Sequence, residues 1–131
     1  MLEIKPIQDK NEQENICRLC GMEYDIDSLA YAAYVKGELI GVSQFRIRGK
    51  AGYLYDIRNT LESDDTDALF IMGRAVLNYI DLHGAHEAYF ENDSYPDMAL
   101  IKRIGFKLRD DGKMYMNLEG FFDSPCQHDK K

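Results

Sequence analysis

A change of hydrophobic period near residue 60 constrains this chain more than any other feature. Before it, Leu29 to Val35, Leu39 to Ile47 and Tyr53 to Ile57 are short blocks of strand-favouring residues. Lys36-Gly37-Glu38 and Arg48-Gly49-Lys50 separate them as tight turns, so residues 29–58 are predicted to form an antiparallel meander. After it, Leu69, Met72, Val76, Tyr79, Ile80 and His83 recur at steps of three and four until Gly84, the pattern of a long helix closed by glycine. Ala88-Tyr89-Phe90 then reads as a short buried strand, and a strand entered through a crossover helix pairs in parallel. The chain is therefore predicted to be α+β, with one mixed sheet, an antiparallel meander followed by a parallel strand contact, and helices on both faces.

The flanks complete this order. Leu2, Ile4 and Ile7 predict a first strand, and Asp9 or Asn11 caps a helix reaching about Met22. Pro96 suits the first turn of a helix running to Ile104, and Gly105 stops it. Phe106–Arg109 and Met114–Leu118 flank Asp110-Asp111-Gly112, a hairpin signal. With 131 residues the chain is expected to hold one domain, residues 1–122, and a polar C-terminal tail, 123–131. Its 16 basic and 23 acidic residues give a formal charge of −7, which disfavours nucleic-acid partners. No apolar run reaches the ~20 residues of a membrane span, and no leader pattern opens the chain, so the expected location is the cytoplasm.

Three cysteines close no disulfide framework, which agrees with a reducing compartment. Cys17 and Cys20 have C-x-x-C spacing, and with Cys126 and His128 they could supply four metal ligands. Arg18-Leu19 continues a helical pattern between the first two, so small buried residues on one helix face are the expected reading, and no metal site is assigned. His83 and His86 flank Gly84 at a helix end, where histidine complements the dipole.

Three stretches resemble the GNAT superfamily of acyl-CoA-dependent N-acetyltransferases. Tyr34-Val35-Lys36-Gly37-Glu38-Leu39-Ile40-Gly41 is similar to its second hairpin. Gly73-Arg74-Ala75-Val76-Leu77, with Gly84-Ala85 beyond, is similar to the helix after its fourth strand. Ala99 to Lys107 is similar to its late helix ending in Gly-Phe. The resemblance spans residues 1–118 and implies that a pantetheine arm lies between splayed fourth and fifth strands, with the pyrophosphate at the start of the next helix. The family's loop at that helix reads Arg/Gln-x-x-Gly-x-Gly/Ala. Here Ala68 stands at the Arg/Gln position and Ile71 at the first glycine, within an acidic stretch.

The resemblance also implies roles for individual residues. Asp56, near the end of the fourth strand, is the candidate base, and Tyr95 is the nearest replacement for a tyrosine that protonates the departing thiolate. Ile57, Arg58 and Asn59 would offer groups to a pantetheine arm, Gly73 and Arg74 to phosphate, and Asn92 to pantetheine or an active-site water. The implied co-substrate is acetyl-CoA or another acyl-CoA and the acceptor a small amine or a peptide amine; a homodimer is the assembly considered. Two functions of different class fit: an N-acetyltransferase, or a GNAT-fold binding module without catalysis. The residues alone read more plainly: Asn92-Asp93-Ser94 is turn chemistry, and Tyr31, Tyr34, Tyr53, Tyr55 and Tyr89 alternate as in a half-buried sheet.

Overall fold

The computed structural model describes residues 1–122, and the expected tail, with Cys126 and His128, lies outside the described residues. The elements are β1 (Leu2–Pro6), α1 (Lys10–Leu19), β2 (Leu29–Val35), β3 (Glu38–Arg48), β4 (Ala51–Asn59), α2 (Thr66–Leu82), β5 (Glu87–Phe90), α3 (Met98–Ile104), β6 (Lys107–Leu108) and β7 (Met114–Asn117). They build a seven-stranded sheet in the order β1-β2-β3-β4-β5-β7-β6. β4 and β5 are its parallel pair, with Ala51 opposite Glu87 and Leu54 opposite Phe90. The mixed sheet and its parallel contact are those expected from the change of period. The contact covers only the first half of β4.

The sheet separates two apolar clusters. On one face, Ile16, Cys17 and Cys20 of α1 and its exit pack on Ala30, Ala32 and Val42. On the other, Met72, Val76 and Ile80 of α2 and Ile101 and Ile104 of α3 pack on Ala33, Phe45, Leu54 and Ala88. Helices thus cover both faces, each through one apolar stripe. Among the described residues, no helix is long and apolar enough to cross a membrane.

Two helix ends differ from expectation. α1 stops at Leu19 rather than near Met22, because Gly21 adopts φ +67°. The Met22 and Gly21 amides then turn back onto the Cys17 and Arg18 carbonyls, which ends the helical ladder. α3 begins at Met98 rather than at Pro96, because the Asp97 carboxylate accepts from the Leu100 amide and makes the better cap.

One irregularity in the ladder decides which β4 side chains face the core. Gln44 of β3 lies opposite Asp56, yet the next residue, Phe45, lies opposite Leu54, which leaves Tyr55 as an extra residue in β4. Such a bulge reverses the alternation of faces. Leu54 and Ile57, three apart, therefore both point into the α2 core.

Candidate active site

β4 runs on to Asn59, whereas β5 ends at Phe90. The last rung between them is the Glu91 amide donating to the Leu54 carbonyl at 2.8 Å. Beyond it the two chains part, and β4 presents an unpaired edge. A cavity of about 410 Å³ opens there on the α1 side, lined by Met22, Glu23, Tyr24, Asp25, Gln44, Tyr55, Asp56, Glu91 and Asn92.

The loop after α1 forms one wall and is held by a buried amide pair. Gln44 Oε1 accepts from Gln13 Nε2 at 2.9 Å and from the Asp25 amide at 3.0 Å, while its Nε2 donates to the Glu23 carbonyl at 2.8 Å. Gln13 and Gln44 are both buried, and every polar atom of such a pair needs a partner. Asp25 is neutralised in place: Arg46 NH2 reaches its Oδ2 at 2.6 Å, and Ser28 Oγ donates to the same oxygen at 2.7 Å. Partial burial raises its pKa, but the Ser28 and Arg46 hydrogen bonds outweigh that and leave it below the ordinary carboxylate value. Glu23 and Glu91 are exposed, and neither makes an ion pair among the described residues. The Tyr55 hydroxyl is a buried group with no hydrogen-bond partner among the described residues, and burial raises its pKa.

Asp56 stands where the strands part, its side chain 14% exposed. One oxygen accepts from the Ile57 amide at 2.9 Å, and the other meets Arg58 Nε at 2.9 Å. Arg58 also donates to the Gly21 carbonyl at 2.9 Å, which ties the α1 exit to β4. The Ile57 carbonyl accepts from the Tyr95 hydroxyl at 2.6 Å. Tyr95 is buried, edge-on to Phe90 with ring centres 5.2 Å apart, and burial first, then the nearby Asp56 charge, raises its pKa. A tyrosine so placed holds its proton, and it spends that proton on a backbone carbonyl.

The sequence-derived residues therefore fall into three places. Asp56, Ile57, Arg58, Tyr95 and Asn92 meet at the parting of β4 and β5. Asn92 Oδ1 accepts from the Ser94 amide at 3.1 Å, the turn chemistry its neighbours suggested. Asn59 faces away, with its Nδ2 donating to the Ile40 carbonyl at 3.0 Å. Gly73 and Arg74 lie elsewhere, and their expected place at a phosphate needs correction. Gly73 is deep inside α2, beyond the first four amides that a helix leaves free. A Cβ there would come within 2.6 Å of Ile104 Cδ1, so the glycine lets α3 approach α2. Arg74 Nε donates to the Ile104 carbonyl at 2.6 Å, and its guanidinium lies over Phe70 and Phe121. At the helix start itself, the Asp65 carboxylate accepts from the Ala68 amide at 3.0 Å. A diphosphate would meet that carboxylate, so the helix start does not fit one.

Sequence reasoning missed Gln44, Tyr24, Glu23 and Glu91, and had Tyr55 only as one of five alternating strand tyrosines. Gln44, set between Val42 and Phe45 in a strand-favouring segment, was the available signal for its half of the pair; Gln13 stands among polar residues and gave none, and neither did the bulge that aims Tyr55. Cys17 and Cys20 are buried free thiols, their pKa values pushed by burial up to about 11 and about 12, so both stay protonated at neutral pH.

No family model and no curated protein sequence matches the chain. Solved structures do match it. A Bacillus subtilis acetyltransferase in complex with CoA is 16% identical with a TM-score of 0.71, over 90% of this chain and 99% of that one. An IAA acetyltransferase from Bacillus cereus is 18% identical with a TM-score of 0.72, over 90% and 100%. A variant spermidine N-acetyltransferase from Vibrio cholerae is 12% identical with a TM-score of 0.71, over 95% and 98%. The fold is that of the GNAT N-acetyltransferases.

Proposed function

We propose that the protein is an acyl-CoA-dependent N-acyltransferase acting on a small cationic amine. The observation that supports this best is the acidic cavity at the point where β4 leaves β5. The cavity is bordered by Glu23, Asp25, Asp56 and Glu91; Asp25 pairs with Arg46 and Asp56 with Arg58, so the charges of Glu23 and Glu91 are left to attract an ammonium group and repel an acidic acceptor. Spermidine as the substrate of one structural neighbour agrees with that charge. Tyr24 and Tyr55, which also line the cavity, add aromatic surface for the aliphatic part of such an amine.

The acyl-CoA would supply an activated thioester carbonyl. Ile57 N–H and C=O are the edge groups that would hold its extended arm; the bound ammonium first gives one proton to water to expose its lone pair, and Asp56 takes the second as the N–C bond forms. The new N–C bond forms as the C–S bond breaks, and the thiolate takes a proton from water, since Tyr95 keeps its own. The two buried free thiols agree with a cytoplasmic location.

A second reading, a GNAT-fold binding module without catalysis, is favoured by the Asp65 cap at the start of α2. Thiol release from acetyl-CoA separates the two. A diamine, an uncharged amine with one amino group and an acidic amino acid serve as acceptors. Turnover with the diamine that falls in Asp56→Asn and Glu91→Gln is expected. Saturable acetyl-CoA binding with no turnover on any acceptor favours the module, and absence of acetyl-CoA binding by calorimetry defeats the enzyme reading.

A further inference from the structure

We propose that Tyr95 and Asp56 latch the gap between β4 and β5 shut, so that an acyl donor enters only when the Tyr95 hydroxyl leaves the Ile57 carbonyl. This rests on the acyl-CoA reading above and concerns how that site is controlled.

The bulge at Tyr55 sets the conditions. An exposed strand edge offers alternating N–H and C=O groups, and an extended ligand adds to such an edge by pairing with them. On β4 beyond the last rung with β5, Ile57 directs both of its groups to partners outside the ladder. Its amide is taken by the Asp56 carboxylate and its carbonyl by the Tyr95 hydroxyl. The protein's own side chains thus make the two bonds that an added arm would make. Tyr95 reaches the gap from the α2 and α3 side, with its ring against Phe90, while the cavity opens on the α1 side. The latch therefore closes the donor slot and leaves the acceptor cavity open.

The anchoring explains why such a contact can move. Tyr95 precedes the Asp97 cap of α3, in a segment whose backbone is held only locally, by the Tyr95 amide on the Asn92 carbonyl and the Ser94 amide on Asn92 Oδ1 among the described residues. A rotation of that segment would withdraw the hydroxyl without breaking the sheet, whose last rung is at Leu54.

Calorimetric titration of CoA, and separately of pantetheine, into the wild-type chain and Tyr95→Phe tests this. The phenyl ring keeps the packing on Phe90 and removes only the donor. The Phe variant should bind both ligands about tenfold tighter, the size of one neutral hydrogen bond no longer displaced. An equal gain for pantetheine locates the effect at the arm and not at the diphosphate. Equal affinities in the two proteins overturn the latch and leave the acyl-CoA reading standing, as does weaker binding by the variant. Binding by neither protein defeats that reading and the latch with it. Should the variant fold poorly, tyrosine ring carbons in the wild-type chain provide the check. Saturating pantetheine should shift the Tyr95 signal and leave those of Tyr31 and Tyr79 unmoved; an unmoved Tyr95 signal overturns the latch.

Discussion

The two sides of the β4 edge are built in opposite ways. On the α1 side, the sheet opens into a cavity whose wall, residues 23–25, is fixed by buried amides and whose mouth keeps free carboxylates. On the α2 side, each group that could hold a second ligand already has a partner in the chain: Ile57 through Asp56 and Tyr95, the α2 start through Asp65, and Gly73 through Ile104. The difference teaches that an acceptor site and a donor site can share one strand and yet be maintained separately. A buried amide network holds the first, and side-chain hydrogen bonds to the backbone, with packing at Gly73, close the second.

The largest expected effect falls on the acceptor wall. Gln44→Leu fits a similar volume but strips partners from Gln13 Nε2, the Asp25 amide and the Glu23 carbonyl. Unpaired buried polar groups cost roughly 1–3 kcal/mol each, and Gln13 retains a weaker contact to the Ser28 carbonyl, so a loss of about 3 kcal/mol is expected in urea denaturation. An unchanged midpoint would mean that the wall is not held by this pair. On the opposite side, Val76→Ala removes a fully buried contact of α2 with the sheet and should cost about 1–3 kcal/mol by lost burial and the cavity left behind.

The contrast also separates what sequence could show from what it could not. Strand and helix periods are local, so the meander, the long helix and the parallel crossover were all legible from Leu29 to Phe90. Asp56, Ile57 and Tyr95 were legible as candidates only because they occupy positions of a resembling family. Their roles were not, because the bulge at Tyr55 leaves no mark in composition, and only that bulge turns Leu54 and Ile57 to one face. Gly73 shows the opposite failure. A glycine beside an arginine suits either phosphate at a helix start or close packing within a helix, and the position of Gly73 inside α2 and its distance to Ile104 decide.

Gly73→Ala sharpens that decision. Alanine gains about 1 kcal/mol over glycine in a helix interior, but its methyl would press on Ile104, whose overpacking costs about 1–3 kcal/mol. A net loss of about 1 kcal/mol is expected in thermal or urea unfolding. A net gain would show that α3 yields easily, and the α2 side would then be less closed than its contacts indicate.

A smaller effect is expected from acid at Asp25. Its folded pKa lies below the unfolded value, so its contribution is present above the ordinary carboxylate range and is lost as pH falls through the folded pKa. The pair with Arg46 is partly exposed, so solvent screening limits the effect. Stability measured from pH 7 down to about pH 3 should fall less steeply in Asp25→Asn than in the wild-type chain. Equal slopes would mean that Arg46 and Ser28 do not hold the wall through this carboxylate.

The smallest effect concerns the acidic start of α2, and it decides whether charge or shape closes the donor side. Asp64 and Asp65 are exposed, and Asp65 also caps the helix. At a separation of about 8 Å in water, each repels a phosphate charge by about 0.5 kcal/mol, and a Debye length of about 8 Å at physiological salt cuts that to roughly a third. Asparagine caps a helix about as well as aspartate, so Asp64→Asn with Asp65→Asn removes charge and leaves the helix start intact. Two aspartates against the two charges of a diphosphate should therefore raise CoA affinity in the double variant about three- to fourfold at physiological salt, and clearly more at low salt. Pantetheine, which lacks the diphosphate, should show no gain at all. A gain of tenfold or more for CoA alone at physiological salt would transfer the closure from the Tyr95 hydroxyl to the carboxylates, because a displaced hydrogen bond on Ile57 cannot distinguish the two ligands and a charge at the helix start must.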